Sequence, residues 1–286
     1  MSQTIETPNV QTLQPFVFTR YLYSKIEVKQ SLLVSLLDRN CAEALFWAYE
    51  LYYSGYNAEV FEYLLNVNDW IYCEDNQNIN RYIHSLHDKW IVDSTLDWHL
   101  GSIVATLCGR RYQLYDFMHS YFNVKVTNID NKHVNTKTLF VHFSKKDIES
   151  YQTYDVNNKM PHLYLKESCK YATRKEVNNL FKTEKCEFTD EYRNHWEYYT
   201  FRCPYWNEIY EKYNCTICDE KKCILFPYEN CEEAFYNKYA IEPDEQPLSV
   251  QQKSIGTGNE HILTLVAFCE KYGAKLPLQK IKISRK

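Results

Sequence analysis

At 286 residues, the chain is long enough to form one large domain or two modest ones. Its 45% hydrophobic and 24% charged residues are typical of globular proteins and exclude disorder over most of its length. A net charge of −4 argues against nucleic-acid binding through the overall field, which leaves only a local basic patch for that role.

The N-terminal segment and the cysteines indicate the cellular compartment of the protein. Residues 1–15 lack the basic and apolar runs of a signal peptide, and no segment has the ~18 apolar residues of a membrane span. We therefore expect a soluble, non-secreted protein with a flexible lead-in over residues 1–15. The 11 cysteines, an odd number, suit reduced thiols in the cytosol better than a disulfide framework.

Residues 25–122 are predicted to be almost entirely helical. Asn40 followed by Glu43 predicts an N-cap, and the helix that starts there should run to Tyr53 and stop at Gly55. That helix is apolar or aromatic almost all round. We therefore expect it to be central and buried by its neighbours.

Further helices are predicted after a cap at Asn57, over residues 79–90, and from Ser94 to near Gly109. Their short connections require antiparallel helical hairpins. These hairpins predict a bundle or an irregular α-solenoid. A HEAT-like array stays open, although the sequence has no convincing fixed repeat.

The second half predicts a mixture of helices and small β-hairpins. Residues 124–143 and 215–226 alternate as hairpin strands do, the latter turning at Asp219 and Glu220. Short helices are predicted from a Thr173–Glu176 cap to residue 181, within 190–213 with Pro204 at a helix start, over 229–239, and over 259–272 before Gly273.

The fold class is therefore mainly α, with small β-hairpins in the C-terminal half. The polar residues 144–162 mark the predicted boundary between two regions. These are a helical-hairpin domain, residues 16–150, and an α+β region with a basic tail, residues 151–286.

Four cysteines form the best candidate metal site. Cys215 and Cys218 have the two-residue gap that lets both thiolates reach one tetrahedral zinc ion. Cys223 and Cys231 would complete the set, although the seven residues between them exceed the usual gap, and Cys203 or His195 could substitute. The alternative is that Cys218 and Cys223 are cross-strand neighbours with partly buried free thiols. No other cofactor is predicted.

Two weaker candidate sites consist of histidines and of carboxylates. His84 and His87 lie one turn apart on a predicted helix and could ligate a metal, or could be ordinary surface histidines. The acidic run at 242–245 could hold a cation or act as paired carboxylates, but the flanking prolines favour a solvated turn.

The basic tail is the candidate nucleic-acid contact. Lysine and arginine side chains there could reach phosphates, or could simply solubilise the terminus. The residues assigned to this contact are Lys280, Lys282, Arg285 and Lys286.

Two phrases, LLVSLLDRNCAEALFWAYELYYSGYNAEVFEYL at residues 32–64 and YAIEPDEQP at residues 239–247, resemble uncharacterised proteins of mimivirus-like nucleocytoplasmic large DNA viruses. The resemblance implies a protein of the infected host cytoplasm, in the virus factory or packaged in the virion. It carries no active site and implies no reaction.

The leading functional hypothesis is a non-enzymatic adaptor or scaffold that binds viral or host proteins, since paired helices rich in Tyr and Trp offer binding surfaces. By analogy, it could serve a viral complex for translation initiation or transcription. The alternatives are a zinc-containing nucleic-acid-binding protein and a divergent enzyme. The sequence contains no phosphate loop, nucleophile elbow, HExxH or kinase signature, and no small-molecule substrate is inferred.

Overall fold

The computed structural model describes residues 16–128, 140–153, 161–181, 188–239, 241–255 and 262–277. Within these ranges the protein is mainly helical, as predicted. The α-helices are α1 Lys25–Leu37, α2 Cys41–Tyr53, α3 Asn57–Val67, α4 Gln77–Val92, α5 Trp98–Cys108, α6 Tyr115–Phe122, α7 Lys145–Ile148, α8 Tyr164–Ser168, α9 Phe188–Asn194, α10 Trp196–Thr200, α11 Pro204–Lys212, α12 Glu229–Tyr239, α13 Leu248–Ile255 and α14 Leu265–Lys271. The strands are β1 Thr127–Asn128, β2 Thr216–Cys218, β3 Cys223–Leu225 and β4 Ala274–Lys275.

Helix α2 lies at the centre of the fold, as its sequence predicts. Every residue from Glu43 to Tyr52 is buried, and the helix packs against α1, α3 and α5. The predicted cap is confirmed, because the Asn40 side chain accepts a hydrogen bond from the Glu43 backbone N–H. The chain leaves α2 through Gly55, whose φ of +90° lies in the region that favours glycine.

The helices of the first half form a bundle rather than a solenoid. In a solenoid each unit contacts mainly its sequence neighbours, whereas α5 here packs against α1 and α2 as well as α4. The Asn57 cap prediction is wrong, because Tyr56 precedes the first turn of α3 and makes no side-chain cap. A π-helical turn, Asn68–Tyr72, continues α3.

Helices of the second half pack on the same hydrophobic core. The core cluster includes residues from Val17 to Ala274, and Trp196 and Trp206 are among its largest fully buried side chains. The Trp206 indole N–H donates to the Arg20 backbone oxygen at 3.2 Å. One continuous core therefore spans the predicted domain boundary.

The two small sheets agree with the sequence in one case and differ in the other. Strands β2 and β3 form the predicted hairpin, which pairs Thr216 with Leu225 and Cys218 with Cys223. In contrast, β1 pairs antiparallel with β4 rather than within the predicted 124–143 hairpin. Residues 140–143 are not a strand, and residues 129–139 lie outside the described ranges.

Two predicted helices of the second half are shorter than expected. The segment after Thr173 forms only a 3₁₀ turn, Lys175–Val177, because the Thr173 hydroxyl donates to Glu27 across the fold instead of capping a local helix. Helix α14 begins at Leu265, with the Thr264 side chain as its cap. Residues 262–264, which the prediction included, are not helical, and residues 259–261 lie outside the described ranges. In the described ranges, every helix is too short or too polar to cross a membrane.

Candidate functional site

The outer face of α4 carries a cleft of about 550 Å³. The helix turns this face outward because its buried side chains, including Ile83 and Trp90, recur at a spacing of three or four residues and occupy the opposite face. The cleft is lined by Arg81, His84, Ser85, Asp88, Lys89, Val92, Asp93 and Leu96.

Aromatic packing holds α4 in place beneath this cleft. The Trp90 ring stacks on Phe61 with their centroids 4.4 Å apart. Its indole N–H also donates to the Tyr52 hydroxyl at 3.1 Å. These contacts attach α4 to α2 and α3, so the outer face is presented from a rigid element.

The C-terminal end of α4 exposes two aliphatic side chains. Ile91 is 61% exposed and Val92 is 87% exposed, and Val92 lies in the cleft wall. The turn that follows is fixed, because Asp93 accepts hydrogen bonds from the Thr95 backbone N–H at 3.0 Å and hydroxyl at 2.6 Å. These bonds lower the pKa of Asp93. The cleft therefore combines apolar surface with charges of both signs.

The predicted histidine pair does not assemble a metal site. His84 lines the cleft, but the His87 ring packs against Phe61 and Trp90 at centroid distances of 5.6 and 6.0 Å. Burial lowers the pKa of His87, which favours the neutral ring. Across the described residues, no group of three or more His, Cys, Asp or Glu side chains could hold a metal ion.

Two of the four predicted zinc ligands are direct neighbours, and among the described residues no three of the four form a group that could hold a metal ion. Cys218 and Cys223 face each other across the β2–β3 hairpin. Burial and the nearby Cys231 raise the pKa of Cys215 to about 11. The structure thus confirms that Cys218 and Cys223 are cross-strand neighbours and that both are partly buried. The predicted nucleic-acid residues, Lys280, Lys282, Arg285 and Lys286, lie outside the described ranges.

Glu242, in the predicted acidic run, interacts with a second carboxylate, Glu197, which the sequence did not indicate. Burial, and next the charge of Glu197, raise the pKa of Glu242 to about 7. Burial also raises the pKa of Glu197, whose carboxylate accepts a hydrogen bond from the Tyr236 hydroxyl. This arrangement can hold a proton near neutral pH. Asp244 and Glu245 are exposed, as a solvated turn predicts.

Family models, curated proteins and solved structures were compared with the chain, and none matched.

A buried ion pair was also missed by sequence reasoning, because its members are 30 residues apart and no motif marks them. Arg20 Nε donates to Glu50 Oε2 at 2.9 Å, and both side chains are almost fully buried. The other guanidinium nitrogens donate to the Thr153 hydroxyl and the Tyr151 carbonyl. The pair joins the N-terminal segment to α2 and to the segment after α7. Its role is structural, since its donors are directed at protein groups.

A second buried carboxylate connects the two halves. Arg174 donates from Nε and Nη2 to the two carboxylate oxygens of Glu43, at 2.7 and 2.5 Å. The hydrogen bonds to Glu43 outweigh burial and raise the pKa of Arg174. Such forked contacts fix geometry as well as supplying energy. This contact holds residues 173–178 against α1 and α2.

Proposed function

We propose that this protein is a non-enzymatic adaptor that binds a protein partner along the outer face of α4. The observation that carries the proposal is the exposure of Ile91 and Val92 beside a cleft of about 550 Å³. Aliphatic side chains in the centre of an interface gain free energy when a partner removes them from water. Surrounding charges then orient the partner.

The chemistry of the cleft favours an amphipathic helix as the bound segment. Arg81 and Lys89 supply positive charge, whereas Asp88 and Asp93 supply negative charge. A partner helix with an aliphatic stripe between charges of both signs would match this wall. A ligand that carries charge of one sign only, such as RNA, would meet like charges at part of the cleft.

The proposed setting is the cytoplasm of an infected host cell, within a viral complex for translation initiation or transcription. The resemblance of residues 32–64 and 239–247 to mimivirus-like proteins supports the setting. Adaptors of such complexes hold several proteins on helical surfaces, and this fold has a helical face available.

Affinity capture of full-length protein from infected cells tests the proposal. A variant carrying Ile91→Asp and Val92→Asp is compared with Leu248→Asp, which changes a 68% exposed leucine at the start of α13. We expect the control to retain the wild-type partners and the α4 variant to lose at least about 90% of one of them. Quantitative mass spectrometry after nuclease treatment gives the readout.

Two results would overturn the proposal. One is equal capture by wild-type protein and the α4 variant. The other is capture that disappears on nuclease treatment and with added salt, which would assign binding to RNA and favour the basic tail.

A further inference from the structure

The β2–β3 hairpin holds two cysteines directly opposite each other. Cys218 and Cys223 are Cα partners in its antiparallel register. Opposed residues of such a pair have Cβ atoms about 4.5–5.5 Å apart, and a disulfide requires about 3.5–4.5 Å. A movement of about 1 Å therefore brings the two sulfurs within bonding distance.

Both thiols are accessible and in mutual contact. Cys218 and Cys223 are each free and half-buried. Burial raises the pKa of Cys223, and contact with the Cys218 thiol, including a hydrogen bond between the two, raises it further. The Cys41–Cys108 pair, which is also hydrogen-bonded, differs because Cys108 is buried. An external reagent can therefore reach the hairpin pair more easily.

Neighbouring residues fix the turn between the two cysteines. The Tyr198 hydroxyl donates to Asp219 Oδ1 at 2.8 Å, and Lys222 Nζ donates to Glu191 Oε1 at 2.7 Å. His195 Nδ1 also lies 3.0 Å from the Lys222 backbone oxygen. These contacts attach both ends of the turn to α9 and α10. Little conformational freedom remains to be lost when the sulfurs join.

We propose that Cys218 and Cys223 form a reversible redox site whose reactant is a small-molecule disulfide of the glutathione class. One of the two thiolates attacks one sulfur of the reagent, breaks its S–S bond and releases one thiol, which leaves a mixed disulfide on that cysteine. The other thiolate then attacks the sulfur of that cysteine and releases the second thiol. The protein loses two electrons and two protons, and the reagent becomes two thiols.

Either thiol can attack first, because the two cysteines are directly opposed in the hairpin and both are half-buried. The product would close the β2–β3 hairpin covalently. This chemistry uses two of the four cysteines that the sequence offers to zinc, so zinc binding and disulfide formation compete for the same sulfurs.

Peptide mapping of full-length protein tests the site. Reduced protein is treated with oxidised glutathione, quenched with acid, alkylated and digested. We expect the first bond to join Cys218 to Cys223, with a loss of two hydrogen atoms that a dithiol reductant reverses. A first bond at Cys41–Cys108 or Cys215–Cys231 would overturn the proposal, as would one equivalent of zinc that protects all four hairpin-region thiols.

Two single variants test the two steps. Cys223→Ser should stop at a mixed disulfide and gain one glutathione on Cys218, and Cys218→Ser should gain one on Cys223. Absence of glutathione from both folded variants would contradict the assignment. Wild-type mapping decides the existence of the site even where a variant folds poorly.

Discussion

At the scale of single residues, the buried Arg20–Glu50 ion pair has the strictest need for hydrogen-bond partners. Both side chains are at most 2% exposed, so each charge has lost its water. Such a pair is stable only when every charged atom has a partner. Burial raises the pKa of Glu50, and the Arg20 charge and the Tyr21 N–H, which donates at 3.1 Å, oppose that rise.

Removing one member of this pair should destabilise the protein strongly. Glu50→Ala leaves the Arg20 charge buried without its counter-ion, and we expect the free energy of unfolding to fall by about 3–5 kcal/mol. Chemical denaturation followed by circular dichroism measures the change. Arg202→Ala, which breaks an ion pair whose side chains are 47% and 70% exposed, is the control and should cost at most about 1 kcal/mol. Equal losses in both variants would show that Glu50 carries no special role.

Glu242 should make stability depend on pH. Its folded pKa of about 7 lies above the ordinary value of 4.5, so the folded state binds this proton more tightly than the unfolded state does. Binding of this proton stabilises the folded state fully below about pH 4.5, and that stabilisation is lost as pH rises through about 7. Glu242→Gln removes that loss.

Thermal denaturation of Glu242→Gln and wild-type protein at two pH values provides the measurement. We expect similar stability at pH 5 and a more stable variant at pH 8, by about 1 kcal/mol because the carboxyl is only half-buried. Glu245→Gln, an exposed neighbour in the same acidic run, serves as the control. A difference that is the same at both pH values would refute the linkage.

Helix α5 shows how close packing constrains an element. A Cβ on Gly101 would lie 2.6 Å from Phe143 Cδ2 and 2.7 Å from the Tyr49 hydroxyl oxygen. That hydroxyl also accepts a hydrogen bond from the Gly101 backbone N–H at 3.0 Å. Glycine is therefore required here by the neighbours rather than by backbone conformation.

Gly101→Ala should lower stability by about 1–2 kcal/mol, because Phe143 or Tyr49 must move. The matched control is Gly109→Ala at the end of the same helix, where the nearest non-neighbouring atom is 3.6 Å from the new Cβ. Urea denaturation of both variants gives the comparison. If Gly109→Ala is as destabilising as Gly101→Ala, the packing explanation fails.

The sequence predicted best those elements whose ends are marked by residues close by in the chain. The Asn40 cap and the stop at Gly55 act within a few residues, so α2 could be placed before its neighbours were known. The β1–β4 pairing joins residues 127–128 to residues 274–275, a separation that no local pattern encodes. Likewise, Thr173 pairs with Glu27 rather than capping its own segment.

The candidate sites likewise divide into those that nearby residues indicate and those that only tertiary packing forms. The Cys218–Cys223 contact was a stated alternative because a hairpin brings nearby residues together. The helical period of α4 predicts which face is buried, but not that a cleft lies beside Val92. Glu197 and Glu242 meet only through tertiary packing, so the sequence signalled the acidic run alone.

At the scale of the whole molecule, the halves share one aromatic core. The chain has 26 tyrosines, and many use the ring for packing while the hydroxyl binds a backbone group at the edge of the core. Tyr23, for example, is buried and its hydroxyl donates to the Tyr171 backbone oxygen at 2.8 Å. Trp196 and Trp206 fill the core from the second half.

A shared core predicts cooperative unfolding. We expect the full-length protein to unfold in one calorimetric transition, and a fragment of residues 16–150 to show none, because it lacks Trp196 and Trp206. A sharp transition of the fragment near the full-length temperature would instead support the two regions that the sequence predicts, with their boundary within residues 144–162.

The affinity of the α4 face for its partner tests the central claim most directly. A partner captured with wild-type protein is purified and titrated against wild-type protein, Val92→Asp and Leu248→Asp. We expect Val92→Asp to raise the dissociation constant at least about tenfold, which corresponds to about 1.4 kcal/mol, and Leu248→Asp to leave it unchanged. Equal dissociation constants for all three proteins would contradict binding at α4.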